Sequence, residues 1–202
     1  MEPQTNKKQI IEFLKSRRRY LISSLLLVLV FLLFFEFLSH RYLIGFTREG
    51  HYCLPYSTWL IKKGEKPNRG DYVFFVGHGI PNFADGVRWV KIMSGMPGDR
   101  VISVTIPASE RAANIEVVEV NSLPIQKRLQ GRVYLHTGSN GHVLEYRVFE
   151  KDTKGRSLSI IDSQTIRPGK YFVSTPAPRS FDSRYWGLID EKDILGKAYP
   201  IF

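Results

Sequence analysis

A mainly β outer domain carried on one N-terminal transmembrane helix is the architecture this chain predicts, and three observations predict it. The first is an apolar run from Leu21 to Phe35, broken only by Ser23 and Ser24 and resumed after Glu36 by Phe37 and Leu38. Roughly 20 such residues are what a helix needs to cross a bilayer. The second is the basic flank ahead of it, Lys7, Lys8, Lys15 and Arg17-Arg18-Arg19, which holds an N-terminus in the cytoplasm and sends the rest outward. The third is a series of short apolar and β-branched stretches, separated by turn residues, over the remaining chain.

Residues 1–19 accordingly read as a cytoplasmic basic tail, 20–39 as the anchor and 40–202 as one extracytoplasmic domain. A removable leader would end in small residues of the A-x-A kind, and Phe34 to Tyr42 offers none, so the anchor is expected to stay. Glu36 reads as an interfacial residue at the outer end of the span. Strands are expected over Thr58–Ile61, Tyr72–Val76, Val87–Met93, Arg100–Ile106, Ile115–Val120, Val133–Leu135, Val143–Phe149, Leu158–Ile161 and Tyr171–Ser174. The breaks carry turn chemistry: Lys66-Pro67-Asn68-Arg69-Gly70, Gly77-His78-Gly79, Met96-Pro97-Gly98-Asp99 and Gly138-Ser139-Asn140-Gly141, with Asn140-Gly141 a hairpin signal. The middle, about 107–168, reads as a variable β lobe inserted between segments that carry chemistry.

Charge narrows the class of partner. The 202 residues carry a net +10, and seven of the 29 Lys and Arg residues lie within the first 41 positions against three acidic ones. The outer domain is therefore only mildly basic, which suits a surface near anionic lipid headgroups. No nucleic-acid motif, phosphate loop or zinc-ligand spacing appears, so neither nucleic acid nor a metal or other cofactor is expected.

Cys53 is the only cysteine, so no intrachain disulfide explains it, although it stands in the part of the chain expected outside the cytoplasm. Two readings compete, a buried small hydrophobe and a nucleophile. Lys91 lies in the strand-like run Trp89 to Met93, where alternation puts Trp89 and Met93 on its own face. It reads either as a solvated strand lysine or as a base, since burial among apolar groups favours a neutral amine. His51, two residues before Cys53, shares its face in an extended segment. An oxyanion donor, a base and a surface histidine all fit His51. Asp182 and Arg184 share a face if extended, and a structural ion pair is one of their readings.

Four blocks resemble the signal peptidase I family of membrane-anchored Ser-Lys proteases: Cys53-Leu54-Pro55, Arg69 to Phe75, Val90-Lys91 through Gly98-Asp99, and Ser180-Phe181-Asp182-Ser183-Arg184-Tyr185-Trp186-Gly187. The chain is most similar within that family to TraF-type conjugative-transfer peptidases. The resemblance implies a signal-peptidase-like β fold and a Cys53-Lys91 dyad. It also implies that Asp182 counts with the catalytic groups, that Ser180 hydrogen-bonds the lysine and Arg184 braces the site, and that His51 takes a position where the family often has an oxyanion donor. It further implies a bacterial inner-membrane location with the catalytic domain in the periplasm. The implied substrate is a membrane-inserted pilin-like precursor, which TraF-type relatives in some cases join head to tail. A non-catalytic scaffold of a secretion system is the alternative, weakened because cysteine keeps nucleophilicity. Two departures stand out: Cys53 replaces the family's serine, and Ser174-Thr175-Pro176 replaces Gly-Asp-Asn.

Overall fold

A computed structural model of the chain describes residue 15 and residues 17–47, 53–120, 123–138 and 141–201. The chain divides into two units after Tyr42. The first contains helix α1, Arg18–Arg41, 24 residues long, none of them buried within the protein. At 1.5 Å per residue it extends about 36 Å. Its serine hydroxyls bond within the helix: those of Ser23, Ser24 and Ser39 donate to the carbonyls of Arg19, Leu21 and Glu36. By length and composition α1 can cross a bilayer.

The second unit is built on two antiparallel sheets. The first has seven strands: β1 (Tyr42–Phe46), β2 (Thr58–Lys63), β3 (Tyr72–Gly77), β4 (Val87–Gly95), β10 (Lys170–Ser174), β11 (Ile189–Asp190) and β12 (Ile194–Pro200), in spatial order β1-β2-β12-β3-β4-β10-β11. The chain between β4 and β10 forms the second sheet from β5 (Arg100–Thr105), β6 (Ile115–Val120), β7 (Leu123–His136), β8 (Val143–Phe149) and β9 (Gln164–Thr165). The strands alternate as a two-faced sheet must. On β4, Val90 and Ile92 pack toward a cluster of Leu54, Trp59, Ile61, Phe74 and Ala198, while Met93 joins Val73, Phe75, Val173 and Ile189 on the opposite face.

Most of the expected strands form, and β1, β9, β11 and β12 form where none was expected. Leu158–Ile161 is not a strand: the Ile161 N–H donates to the Arg184 carbonyl (2.8 Å) and the Leu158 N–H to the Glu150 carbonyl (2.9 Å), so its backbone is spent on loops. β7 is far longer than Val133–Leu135, because pairing with β6 extends it through the polar stretch around Lys127 and Arg128. β12 was hidden by Gly196 and Lys197, which break its apolar run. Yet it lies between β2 and β3, and Gly196 sits at a register shift where a Cβ would come 2.2 Å from the Lys62 carbonyl oxygen. The expected hairpin joins β7 to β8, with His136 opposite Val143; Asn140 lies outside the described residues.

One ion pair locks the junction of the sheets. Asp99, 3% exposed, accepts from Arg69 Nη1 at 2.6 Å and Nη2 at 3.0 Å, and from the N–H groups of Met96 (2.8 Å) and Gly138 (3.0 Å). Gly98, at φ 94°, supplies the left-handed residue that this turn requires. Burial pushes the Asp99 carboxyl up, but Arg69 and the two backbone donors outweigh it and hold it below its usual 3.8. Because the folded carboxyl is the stronger acid, its stabilisation is complete above that value and lost as pH falls below it. Asp99→Asn is expected to cost about 2 kcal/mol at pH 7 and to flatten the loss of stability in acid, measured by denaturant unfolding between pH 3 and 7. An unchanged pH dependence would show that Asp99 does not hold the junction.

Candidate active site

Lys91 comes from the centre of β4, paired across to Val73 of β3, and is 2% exposed. Its Nζ donates to Ser180 Oγ at 2.7 Å and lies 5.7 Å from the centroid of the Trp89 ring. The solvated-lysine reading is therefore wrong for this chain. Strand alternation puts Trp89, Lys91 and Met93 on one face, as the sequence suggested. An aromatic chain continues from there: Phe83 meets Trp89 edge-on at 4.8 Å and stacks on Phe181 at 5.7 Å, and Phe181 stacks on Tyr185 at 5.8 Å.

Ser180 is held by what surrounds Arg184. Asp182, fully buried and extended, caps the short helix α2 (Ser183–Trp186), accepting the Arg184 N–H at 3.2 Å. The same carboxylate receives Arg184 Nε at 2.7 Å and Nη2 at 2.8 Å, and the Thr175 N–H at 3.3 Å. The guanidinium then reaches the carbonyls of Ala177 (3.1 Å), Pro178 (3.2 Å), Ser180 (2.9 Å) and, on β8, Arg147 (3.1 Å). Tyr146 and Tyr185 offer their rings at 5.6 and 5.7 Å. Burial works against the Arg184 charge, but Asp182 outweighs it and holds the guanidinium above its usual range. The Tyr185 hydroxyl oxygen accepts the Phe149 N–H at 3.1 Å, and burial pushes its ionisation up to about 12. Both links tie the second sheet to the loop that presents Ser180.

Cys53 stands half-buried in the bend that precedes β2. Leu54 next to it is buried in the cluster against which Val90, the neighbour of Lys91, packs. At the base of this segment Thr47 Oγ1 donates to the carbonyls of Tyr56 and Ser57 (3.0 Å each) and accepts from Trp59 Nε1 (3.2 Å). Trp59, 1% exposed, is therefore core. His51 and Tyr52 lie outside the described residues. The structure thus brings together Lys91, Ser180, Asp182 and Arg184 through direct contacts or one intermediary.

Sequence reasoning passed over two groups here. Arg69 was read within a turn, yet it is the partner of Asp99. Ser94 and Ser174 share a hydrogen bond at 2.6 Å, and Ser174 Oγ donates to the Tyr146 hydroxyl at 3.0 Å, directly under the Arg184 guanidinium. Only the departure at Ser174-Thr175-Pro176 hinted at this second network.

The site thus holds a buried amine with a hydroxyl acceptor and one indole ring beside it. Residues 17–202 match the family described as Signal peptidase, peptidase S26, and the chain belongs to that family. It is similar to signal peptidase I of Buchnera aphidicola subsp. Baizongia pistaciae, 26% identical over 188 residues that take in 73% of this chain and 59% of that protein. The conjugal transfer protein TraF of Agrobacterium fabrum (strain C58) is 34% identical over 64 residues, 31% of this chain and 36% of that one. A crystal structure of a signal peptidase I from Enterococcus faecalis V583 aligns at a TM-score of 0.35 and 20% identity, covering 66% of this chain and 97% of that one. The chain spans less than two thirds of the length of the curated signal peptidases it matches, 59% and 58%.

Removing the guanidinium would leave Asp182 buried without its main partner. Arg184→Leu is expected to destabilise the protein by about 3–5 kcal/mol, read from guanidinium unfolding of the detergent-solubilised chain. A loss under about 1 kcal/mol, the size of an exposed pair, would contradict the bracing role.

Proposed function

We propose that this chain is a membrane-anchored, signal-peptidase-like endopeptidase that acts through a Cys53-Lys91 dyad. The observation that carries this reading is Lys91: a buried lysine amine without an ion-pair partner among the described residues, oriented by a serine hydroxyl at 2.7 Å. Membership of a peptidase family supports it. Such burial is costly for a charged amine and is the usual means of making lysine a base. Cys53 Sγ attacks the scissile carbonyl while its proton passes to Lys91 Nζ. Collapse of the tetrahedral intermediate returns that proton to the leaving amine, and the resulting thioester is cleaved by water or by a second amine. The backbone N–H of Cys53 and the side chain of His51 donate to the oxyanion.

Asp182 acts as a positioning residue on this reading, because its carboxylate is engaged by Arg184 and the Thr175 N–H. The basic residues Arg17, Arg18 and Arg19 at the start of α1 support a cytoplasmic N-terminus in a bacterial inner membrane and a periplasmic peptidase unit. The substrate is a membrane-inserted exported precursor. The local similarity to a conjugal transfer protein supports a pilin-like precursor. Because thioesters partition toward amines more readily than esters do, such a substrate is also closed head to tail.

Cys53→Ala and Lys91→Met are each expected to abolish cleavage of a quenched peptide bearing an A-x-A site behind an apolar segment, with thermal melting retained. Cys53→Ser keeps a residual fraction of the rate. Full activity of Cys53→Ala would end the nucleophile assignment. For the substrate, intact-mass spectrometry of pilin-like precursor processed by the native enzyme is expected to show a product lighter by one water than the linear form. Linear product alone would leave a plain peptidase.

A further inference from the structure

Where the family pattern reads Gly-Asp-Asn this chain has Ser174-Thr175-Pro176, and one of these side chains is left over. Ser174 is engaged by Ser94 and Tyr146. Thr175 is 1% exposed, and its Oγ1 is buried with no hydrogen-bond partner among the described residues. Buried hydroxyls are normally satisfied, so an orphan points to a partner from another state of the site. The register says where that partner lies. β10 runs against β4 with Val173 opposite Met93 and Ser174 opposite Ile92 and ends there; carried one residue further, the same register sets Thr175 against Lys91. Val173 and Met93 share one core cluster; two residues on, Thr175 and Lys91 fall on that same face. A second contact fixes Thr175 there, since its N–H donates to the Asp182 carboxylate, two residues from Ser180.

Lys91 has the complementary deficit. As an ammonium it carries three N–H donors, and Ser180 Oγ takes one of them. During acyl transfer a second N–H must point at the sulfur or the departing nitrogen, which leaves a third in a dry site. We propose that Thr175 is a positioning residue for Lys91, its hydroxyl accepting that third N–H while the lysine holds the proton. The inference rests on the Cys53-Lys91 reading. The proton leaves the Cys53 thiol for Lys91 Nζ as the Sγ–C bond forms, and leaves Nζ for the amine nitrogen as the C–N bond breaks. Ser180 and Thr175 hold the ammonium between those two transfers.

The test compares pH profiles of kcat/KM for the wild type, Thr175→Val, Thr175→Ser and Lys91→Met in detergent, with the quenched A-x-A peptide as probe. Thr175→Val keeps the shape and removes the hydroxyl. It is expected to lower kcat about tenfold, the size of a lost hydrogen bond to a charged group. It is also expected to move the acid limb to lower pH, because an acceptor of the ammonium form favours that form. Thr175→Ser restores both, and Thr175→Ala carries the same expectation if the valine variant does not fold. A Thr175→Val enzyme that melts higher with rate and acid limb unchanged would overturn the inference while Lys91→Met, still inactive, upholds the dyad. An active Lys91→Met would remove both.

Discussion

The Arg184–Asp182 pair is the constraint from which the site is built. Two nearly fully buried charges are costly to place in a protein interior unless each is saturated with partners. Here they are: the guanidinium grips one carboxylate and four backbone carbonyls, and the carboxylate caps a helix and receives the N–H of Thr175. That saturation is local to residues 175–184 apart from the reach to Arg147. A loop with little regular structure is thereby made stiff enough to present Ser180 at 2.7 Å from a lysine 89 positions away in sequence.

The stiffness matters because the lysine is itself buried. Ser180 accepts from that amine, so a stiff loop at Ser180 fixes where Lys91 Nζ points. The sheet contributes the other half. β4 delivers Lys91 and Met93 to one face and Val90 and Ile92 to the other, and Leu54 shares the second face's cluster. The Cys53 segment thus packs, through Leu54, against the face of β4 opposite the one that carries Lys91.

How much of this was legible in the sequence follows from how local each feature is. Strand alternation around Lys91 needed only five residues and was read correctly, as were β2 to β6, β8 and β10. Asp182 and Arg184 were expected to share a face as an extended i, i+2 pair; they meet instead because Asp182 is extended and caps the helical turn that contains Arg184. β12 and the first half of β7 were illegible because Gly196, Lys197, Lys127 and Arg128 are tolerated by cross-strand pairing that no local pattern reports. The Lys91–Ser180 contact and the Arg69–Asp99 lock are long-range. The first is reached through resemblance to a family; for the second the sequence shows the two turns, which form, but not the ion pair that joins them.

If Lys91 takes the proton of Cys53, as proposed, alkylation of the thiol shows it without any substrate. The rate of Cys53 modification by iodoacetamide is measured against pH in the wild type and in Lys91→Met, both folded in detergent. A lysine that accepts the thiol proton makes the wild type react at lower pH, and its removal is expected to slow alkylation at pH 7 by about tenfold or more, toward the behaviour of an ordinary thiol. Superimposable curves for the two proteins would contradict the account, because they would show a cysteine that does not sense the lysine.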